Sequence, residues 1–194
     1  MVYFMRYLKK NRALFFLFCC LLFSGFLFSE EKNNDIKISN FNFIKTGKLY
    51  LVSFNQEFFF TDKIMEAIKK GIPFAFNIEI KVIRKFNFFW DQNIAKDDGE
   101  FEISYKSLRK VYIVKDINDE RKEFRDITEA LKYLSHIHKW SVELEIPDNQ
   151  KDYFLILQIK LNRKKLPKPL QVDFFGKSWN IESDVFEYPL GILR

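Results

Sequence analysis

The chain has 194 residues, of which 18% are aromatic and 30% are charged, with 32 lysines and arginines against 26 acids. Four of these cations and none of the acids fall within residues 1–29, which leaves 28 cations and 26 acids, a net charge of +2, in the remainder. Because that surplus is small and both signs are interspersed, the composition excludes a nucleic-acid-binding protein.

The first 29 residues have the pattern of a targeting segment. A basic stretch is followed by the apolar run Ala13–Phe28, which carries no charge. The run is shorter than the ~20 residues of a usual spanning helix, and its large residues fit a signal-peptidase site poorly. A cleaved signal peptide and a retained N-terminal membrane anchor therefore both stay open. The positive charges predict that the rest of the chain lies outside the cytoplasm, in the periplasm or anchored and facing outward.

Both cysteines, Cys19 and Cys20, lie inside the apolar run. Residues 30–194 therefore offer no disulfide, no thiol nucleophile and no thiolate metal ligand. A polar linker, Glu30–Asp35, leads to a single predicted domain over residues 36–194, which is long enough to bury a core of its own.

Alternation of apolar and polar residues predicts strands with one buried face. The predicted strands are 36–44, 48–58, 74–82, 101–105, 110–114, 140–146 and 155–161, with one more over 170–174. Thr46 and Gly47 indicate a hairpin turn between the first two. Half-buried strands in this number are typical of antiparallel sheets.

Two segments have helical spacing instead. The first is 62–70, with Thr61 as its predicted N-cap and Gly71 at its exit. The second runs from Ile127 to Ile137, with Asp126 as the N-cap and Glu129 as its partner. The predicted fold is mainly β, an antiparallel β-sandwich-like domain of about eight strands with two short helices.

The sequence contains no recognisable catalytic constellation, so we predict a protein that is not an enzyme and has no cofactor. His136 and His138, placed on the predicted helix at i, i+2, would point to different faces, which argues against a metal site. The acidic cluster at Asp116, Asp119 and Glu120 is interpreted as a solvated turn between a strand and a helix. Residues 97–99 are interpreted as a strand connection.

Two stretches are candidates for an interaction surface, each with a structural alternative. In the stretch 81–92, Arg84, Trp90 and Asp91 combine a cation, an aromatic ring and a carboxylate, but the favoured interpretation is that the aromatic rings enter the core while the cations stay wet. In the closing stretch 166–184, Pro167, Pro169 and Trp179 offer a second candidate. There the favoured interpretation is a stiff crossover into the last strand, closed by the tryptophan.

Several stretches resemble a known bacterial family. They are EAIKKGIPFAFNIEI (66–80), WDQNIA (90–95), EISYKSLRKVYIV (102–114), ITEALKYLSHIHKWSV (127–142), LPKPLQV (166–172) and WNIESD (179–184). Together they are similar to the domain-of-unknown-function family 4390. The resemblance implies an exported protein and, because the genes of that family often neighbour a sensor histidine kinase, a membrane signalling partner. It assigns no catalytic or binding residue.

The function expected from these observations is that of an exported cell-envelope protein acting as a non-enzymatic binding or interaction module. The alternative is a carrier that holds an apolar ligand inside the β-sandwich, suggested by the many phenylalanines. A carrier requires a connected apolar cavity of at least ~300 Å³, whereas an interaction module can have a filled core.

Overall fold

The computed structural model describes residues 35–86, 90–147, 152–171 and 179–192, all of which belong to one compact unit, Asn33–Arg194. The predictions for residues 1–29 and for the linker up to residue 34 lie outside the described residues. Among the described helices, none is both long enough and apolar enough to span a membrane.

The fold is mainly β, as predicted, with 56% of the described residues in strands. The strands are β1 (Asp35–Thr46), β2 (Leu49–Phe59), β3 (Phe74–Arg84), β4 (Gln92–Lys106), β5 (Val111–Lys115), β6 (Arg121–Phe124), β7 (His136–Val142), β8 (Tyr153–Leu161), β9 (Glu182–Ser183) and β10 (Phe186–Pro189). The helices are α1 (Asp62–Lys69), α2 (Ile127–Leu134) and the single turn α3 (Lys168–Gln171), with 3-10 turns at Arg163–Lys165 and Leu190–Ile192.

The strands form one curled sheet, a half-barrel, rather than the predicted pair of packed antiparallel sheets. Their order is β6-β5-β4-β3-β8-β9-β1-β2-β7, with β10 also paired to β8. The pairing of β1 with β9 is parallel, so the sheet is mixed. The prediction of a sandwich fails because β9, only two residues long, hydrogen-bonds β8 to β1 and joins the halves that a sandwich would separate.

The concave face of the sheet carries the core. On β3, every second residue from Phe74 to Val82 is buried. The residues that alternate with them in the second half of this stretch, Asn77, Glu79 and Lys81, are more exposed. The rings of Phe58, Phe60, Phe76 and Phe101 lie together there, with neighbouring centroids 5.1–6.1 Å apart. The interior of the curl is therefore packed with aromatic side chains.

Strand β4 is three times the predicted length and includes the segment 97–99, which was expected to be a connection. Gly99 pairs with Ile78 and Asp98 with Glu79. A Cβ atom added at Gly99 would lie 2.7 Å from Ile117 Cδ1 and 3.1 Å from Trp140 Cζ2. The glycine thus belongs to a strand that other segments approach closely, and not to a turn.

Both predicted helices exist, but the second is shorter than expected. Asp126 caps α2 by accepting hydrogen bonds from the backbone N–H groups of Thr128 and Glu129, at 2.7 and 3.3 Å. The bond from the Thr128 N–H is the main cause of the lowered pKa of this carboxyl. At the other end, the buried Gln56 of β2 donates its side-chain N–H to Leu134 O at 2.7 Å and its backbone N–H to Ser135 O at 2.8 Å. These bonds tie the helix end to the sheet, and the chain continues as β7.

A candidate binding cleft at the seam of the sheet

A candidate site lies where the two edges of the curled sheet approach each other around α2. Within the described part of the chain, β6 pairs only with β5, and β7 pairs only with β2. Helix α2 connects these two edge strands and contacts β5, β6 and β7. Between them is a cleft of about 580 Å³, which falls in the size range of ligand pockets.

We call this site the seam cleft. It is lined by Asp116, Ile117, Asn118, Glu120, Lys122, Glu129, Lys132, Tyr133, Leu134, His136, Ile137 and His138. Leu134 and Ile137 are buried and form an apolar floor with the half-buried Ile117, whereas the charged members and the two histidines are mostly exposed. The cleft thus combines an apolar base with a polar rim.

One wall of the seam cleft is the turn between β5 and β6. Asp116 organises this turn because its Oδ1 accepts hydrogen bonds from the backbone N–H groups of Asn118 (2.9 Å) and Glu120 (3.0 Å). Asp119 adopts a positive φ of 65° and pairs with Lys115 at 2.7 Å. The predicted solvated turn is present, but it joins two strands rather than a strand and a helix.

The second carboxylate oxygen of Asp116 reaches across to the helix. Tyr133 donates its phenol O–H to Asp116 Oδ2 at 2.6 Å, and the Lys122 ammonium lies 4.4 Å from the centre of the Tyr133 ring. Burial, and then the hydrogen bond to Asp116, raise the pKa of Tyr133. The Tyr133 side chain in turn raises the pKa of Lys122. Near neutral pH the tyrosine is therefore a neutral donor and the lysine a cation.

The two histidines lie on the strand β7, where the sequence interpretation placed them on a helix. In a strand, residues at i and i+2 point to the same side, and the rings of His136 and His138 stack with centroids 5.8 Å apart and an interplanar angle of 20°. Ser135 Oγ lies 2.8 Å from His136 Nδ1. The expectation that the two rings point to different faces is therefore wrong.

The misassigned boundary has a local cause in the sequence. Leu134, Ile137 and Trp140 are all buried and follow one another at intervals of three, which imitates a helix. In the structure a bulge at His138 and Lys139 produces the last interval, with Lys139 at a φ of 51° and its N–H bonded to Ser53 Oγ. A bulge adds one residue to a strand and so hides its period of two.

The side chains that line the seam cleft include both hydrogen-bond donors and acceptors, and charges of both signs. Asp116, Glu120 and Glu129 supply carboxylates, while Lys122 and Lys132 supply ammonium groups. Over the described ranges, no three histidine, cysteine or acidic side chains come close enough together to hold a metal ion. Lys122, Lys132 and Tyr133 could not be identified from the sequence, because two lysines and a tyrosine on one short strand and one helix form no recognisable motif.

The six residues predicted as candidate contacts do not form one surface. Arg84 ends β3, and its guanidinium lies 5.0 Å from the Phe86 ring and 5.8 Å from the Tyr153 ring. Its buried Nε has no hydrogen-bond partner among the described residues. Trp90 is 95% exposed and Asp91 is also exposed, so the expectation that the aromatic rings of this stretch enter the core is wrong for Trp90. Residues 87–89 lie outside the described residues.

The other three predicted residues lie at the opposite end of the sheet. Pro167 and Pro169 are exposed, whereas Trp179 is only 4% exposed, 6.1 Å from Phe74 between ring centroids. The predicted strand over 170–174 is wrong for its described part, since Lys168–Gln171 forms the helical turn α3. Proline at the second position of this turn fits the first turn of a helix, where no N–H bond is lost. Residues 172–178 lie outside the described residues.

The fold and the seam cleft define a class of protein: a single curled-sheet domain with a ligand-sized cleft between the edges of its sheet. Residues 33–189 match the family model described as "Domain of unknown function (DUF4390)", and the chain belongs to this family. No curated protein and no solved structure matches the chain.

Proposed function

We propose that this protein is a non-enzymatic interaction module of the cell envelope, and that its seam cleft binds an extended segment of a partner protein. The observation that carries the proposal is the position of the cleft between two edge strands, β6 and β7, each with a single strand partner within the described part of the chain. An edge strand presents backbone donors and acceptors that an extended segment can pair with.

The side chains of the cleft add a basis for selectivity. The apolar floor of Ile117, Leu134 and Ile137 accommodates apolar side chains, while the lysines, histidines and carboxylates of the rim pair with charged ones. Strand β6 is short and charged, and β7 carries a bulge, which are features that discourage unselective pairing of sheet edges. Both features favour a partner of defined sequence.

The packed interior supports the interaction module over the carrier. Phe54, Phe74, Phe76 and Phe101 are each no more than 1% exposed, and their side chains occupy the space in which a carrier would hold an apolar ligand. The proposed partner is a membrane protein such as a sensor histidine kinase, as the family resemblance implies.

The experiment is a selection of random peptides displayed on phage against the full chain, followed by mapping of the selected peptides by NMR. We expect the peptides to shift and protect the amides of β6 and of His136–Lys139 in β7. The double variant Lys132→Glu, His138→Glu should weaken binding of these peptides by about tenfold or more.

The matched control is Lys45→Glu, Lys48→Glu, which makes two similar changes at exposed positions of the β1–β2 hairpin. This control should bind the selected peptides like the wild type. Peptides that map elsewhere, or that lose the same affinity with both double variants, would refute the proposal.

A further inference from the structure

We propose that one end of the domain, here called the basic end, is a docking surface for an anionic phospholipid bilayer. The basic end is formed by residues 62–70, which comprise α1 and the lysine after it, by the β4–β5 turn at residues 106–110, and by residues 163–168 after β8. The proposal does not depend on the seam cleft.

The register of the sheet brings these three segments together. Phe74 at the start of β3 pairs with Ile103 near the end of β4, and Phe76 pairs with Leu161 at the end of β8. The segment 62–70 leads into β3, the turn 106–110 follows β4, and the segment 163–168 follows β8. Close contacts confirm the arrangement: a Cβ atom at Gly71 would lie 3.4 Å from Tyr105 O, and Asn162 N–H donates to Ala75 O at 2.8 Å.

The charge of the basic end is strongly one-sided. Its three segments carry ten lysines and arginines against two acids, and all ten cations are exposed. Taking these from the 28 cations and 26 acids of residues 30–194 leaves 18 cations and 24 acids for everything else. Glu100 and Glu123 pair with two of these cations, so with them included the end has ten cations against four acids and is still clearly positive.

Most of these cations are available to an external anion. Lys70, Arg109 and Lys165 form ion pairs with Glu66, Glu123 and Glu100. The other seven have no ion pair among the described residues: Lys63, Lys69, Lys106, Lys110, Arg163, Lys164 and Lys168. Clustered lysines and arginines of this kind are attracted to anionic lipid headgroups, at about 1 kcal/mol for each residue near the surface.

The turn at residues 106–110 adds an apolar contact at the centre of the charge. Its backbone closes through the Arg109 N–H to Lys106 O bond of 3.1 Å, and Lys110 holds a φ of 53°. Leu108 at the tip is fully exposed between these cations. A leucine flanked by cations suits the membrane interface, where the apolar group enters the acyl boundary and the charges meet phosphates.

The chain that precedes β1 favours a bilayer over an acidic protein as the occupant. Asp35 starts β1 at the basic end, since it pairs with Glu182, which also pairs with Lys160 near the end of β8. The uncharged apolar run ends at Phe28, seven residues earlier, a distance of about 25 Å at full extension. If this run enters a membrane, the basic end is the part of the domain that is tethered near it.

The first test uses residues 33–194, which form a compact unit with its own core, after a melting curve has verified folding. We expect this unit to sediment with vesicles that contain phosphatidylglycerol and not with vesicles of pure phosphatidylcholine, and to be released as the salt concentration rises. The triple variant Lys106→Gln, Lys164→Gln, Lys168→Gln should lower the vesicle affinity by about a hundredfold.

The matched control, Lys45→Gln, Lys48→Gln, Lys96→Gln, removes the same charge from exposed positions away from the basic end and should bind like the wild type. Equal loss of binding in the two triple variants, or no sedimentation of the wild type with phosphatidylglycerol vesicles, would overturn the proposal. If the basic end instead binds an acidic protein, the wild type should not sediment with phosphatidylglycerol vesicles.

A second measurement uses the full chain in phosphatidylglycerol vesicles. In a Cys19→Ser, Cys20→Ser background, a spin label at Leu108→Cys should be accessible to oxygen, which partitions into the bilayer. It should be shielded from a water-soluble paramagnetic relaxation agent. A label at Ile44→Cys, exposed in the β1–β2 hairpin at the opposite end of the sheet, should remain in water. Two labels with the same aqueous accessibility would contradict docking through the basic end.

Discussion

At the scale of single residues, burial separates side chains that look alike in the sequence. Trp90 and Trp179 each stand in an aromatic stretch next to a polar one, yet the first is 95% exposed and the second is 4% exposed. Trp179 packs against Phe74, and the Lys63 ammonium lies 5.1 Å from the centre of the Trp179 ring. The Trp179 side chain therefore covers one end of the core.

We predict that Trp179→Ala lowers the free energy of unfolding by about 3–5 kcal/mol, because it removes a large buried side chain and leaves a cavity. Urea unfolding followed by circular dichroism measures this loss. Trp90→Ala is the matched control and should change the stability by no more than about 0.5 kcal/mol. A loss for Trp179→Ala as small as that expected for Trp90→Ala would contradict the prediction.

At the scale of secondary-structure elements, the seam cleft depends on a close approach between β4, β7 and the β5–β6 turn. Trp140 of β7 and Ile117 of the turn both lie over Gly99, where β4 has no side chain. Asp97 of the same strand accepts the backbone N–H of Glu143 at 2.9 Å. These contacts fix the chain just after β7 and the wall of the seam cleft relative to the sheet.

We predict that Gly99→Ala destabilises the domain by about 1–3 kcal/mol, because the new methyl group overlaps Ile117 and crowds Trp140. Ile117→Ala removes the overlapping atoms, so the double variant should lose less stability than the two single variants added together. Thermal or urea unfolding of the four proteins gives this comparison. Strict additivity would mean that the overlap at Gly99 is relieved without cost.

At the scale of the whole molecule, the two proposals give the domain an orientation. Together they predict that the basic end faces the lipid and that the seam cleft and the exposed Trp90 are accessible to a partner. The three segments of the basic end are far apart in sequence, and only the sheet register collects their charges on one side.

We predict that the domain is located outside the cytoplasmic membrane, because the apolar run Ala13–Phe28 follows a cationic stretch. Protease added to spheroplasts should degrade the domain and spare a cytoplasmic marker. The variant Leu17→Asp, Leu21→Asp, which interrupts the apolar run, should retain the domain inside and protect it. Protection of the wild-type domain in intact spheroplasts would refute the prediction.

The sequence by itself determined the elements whose pattern is local. The β1–β2 hairpin at Gly47, the buried stripes of β3 and β8, and the cap of α2 at Asp126 were all predicted, because alternation, a positive-φ glycine and a capping carboxylate act over a few residues. Family membership was also evident from the sequence, since the similar stretches span most of the predicted domain.

Only the tertiary structure decided how these elements close into one sheet and where the cleft and the basic end lie. The Gln56 side chain bonds to the end of α2 across 78 residues of sequence. The bulge in β7 masks the period of two in the strand that places His136 and His138 side by side. The strand β9 joins the halves of the sheet by hydrogen bonds, but it is only two residues long and therefore too short to show an alternating pattern in the sequence. Contacts between distant segments depend on register, and register is set by the packing of the whole core rather than by any local run of residues.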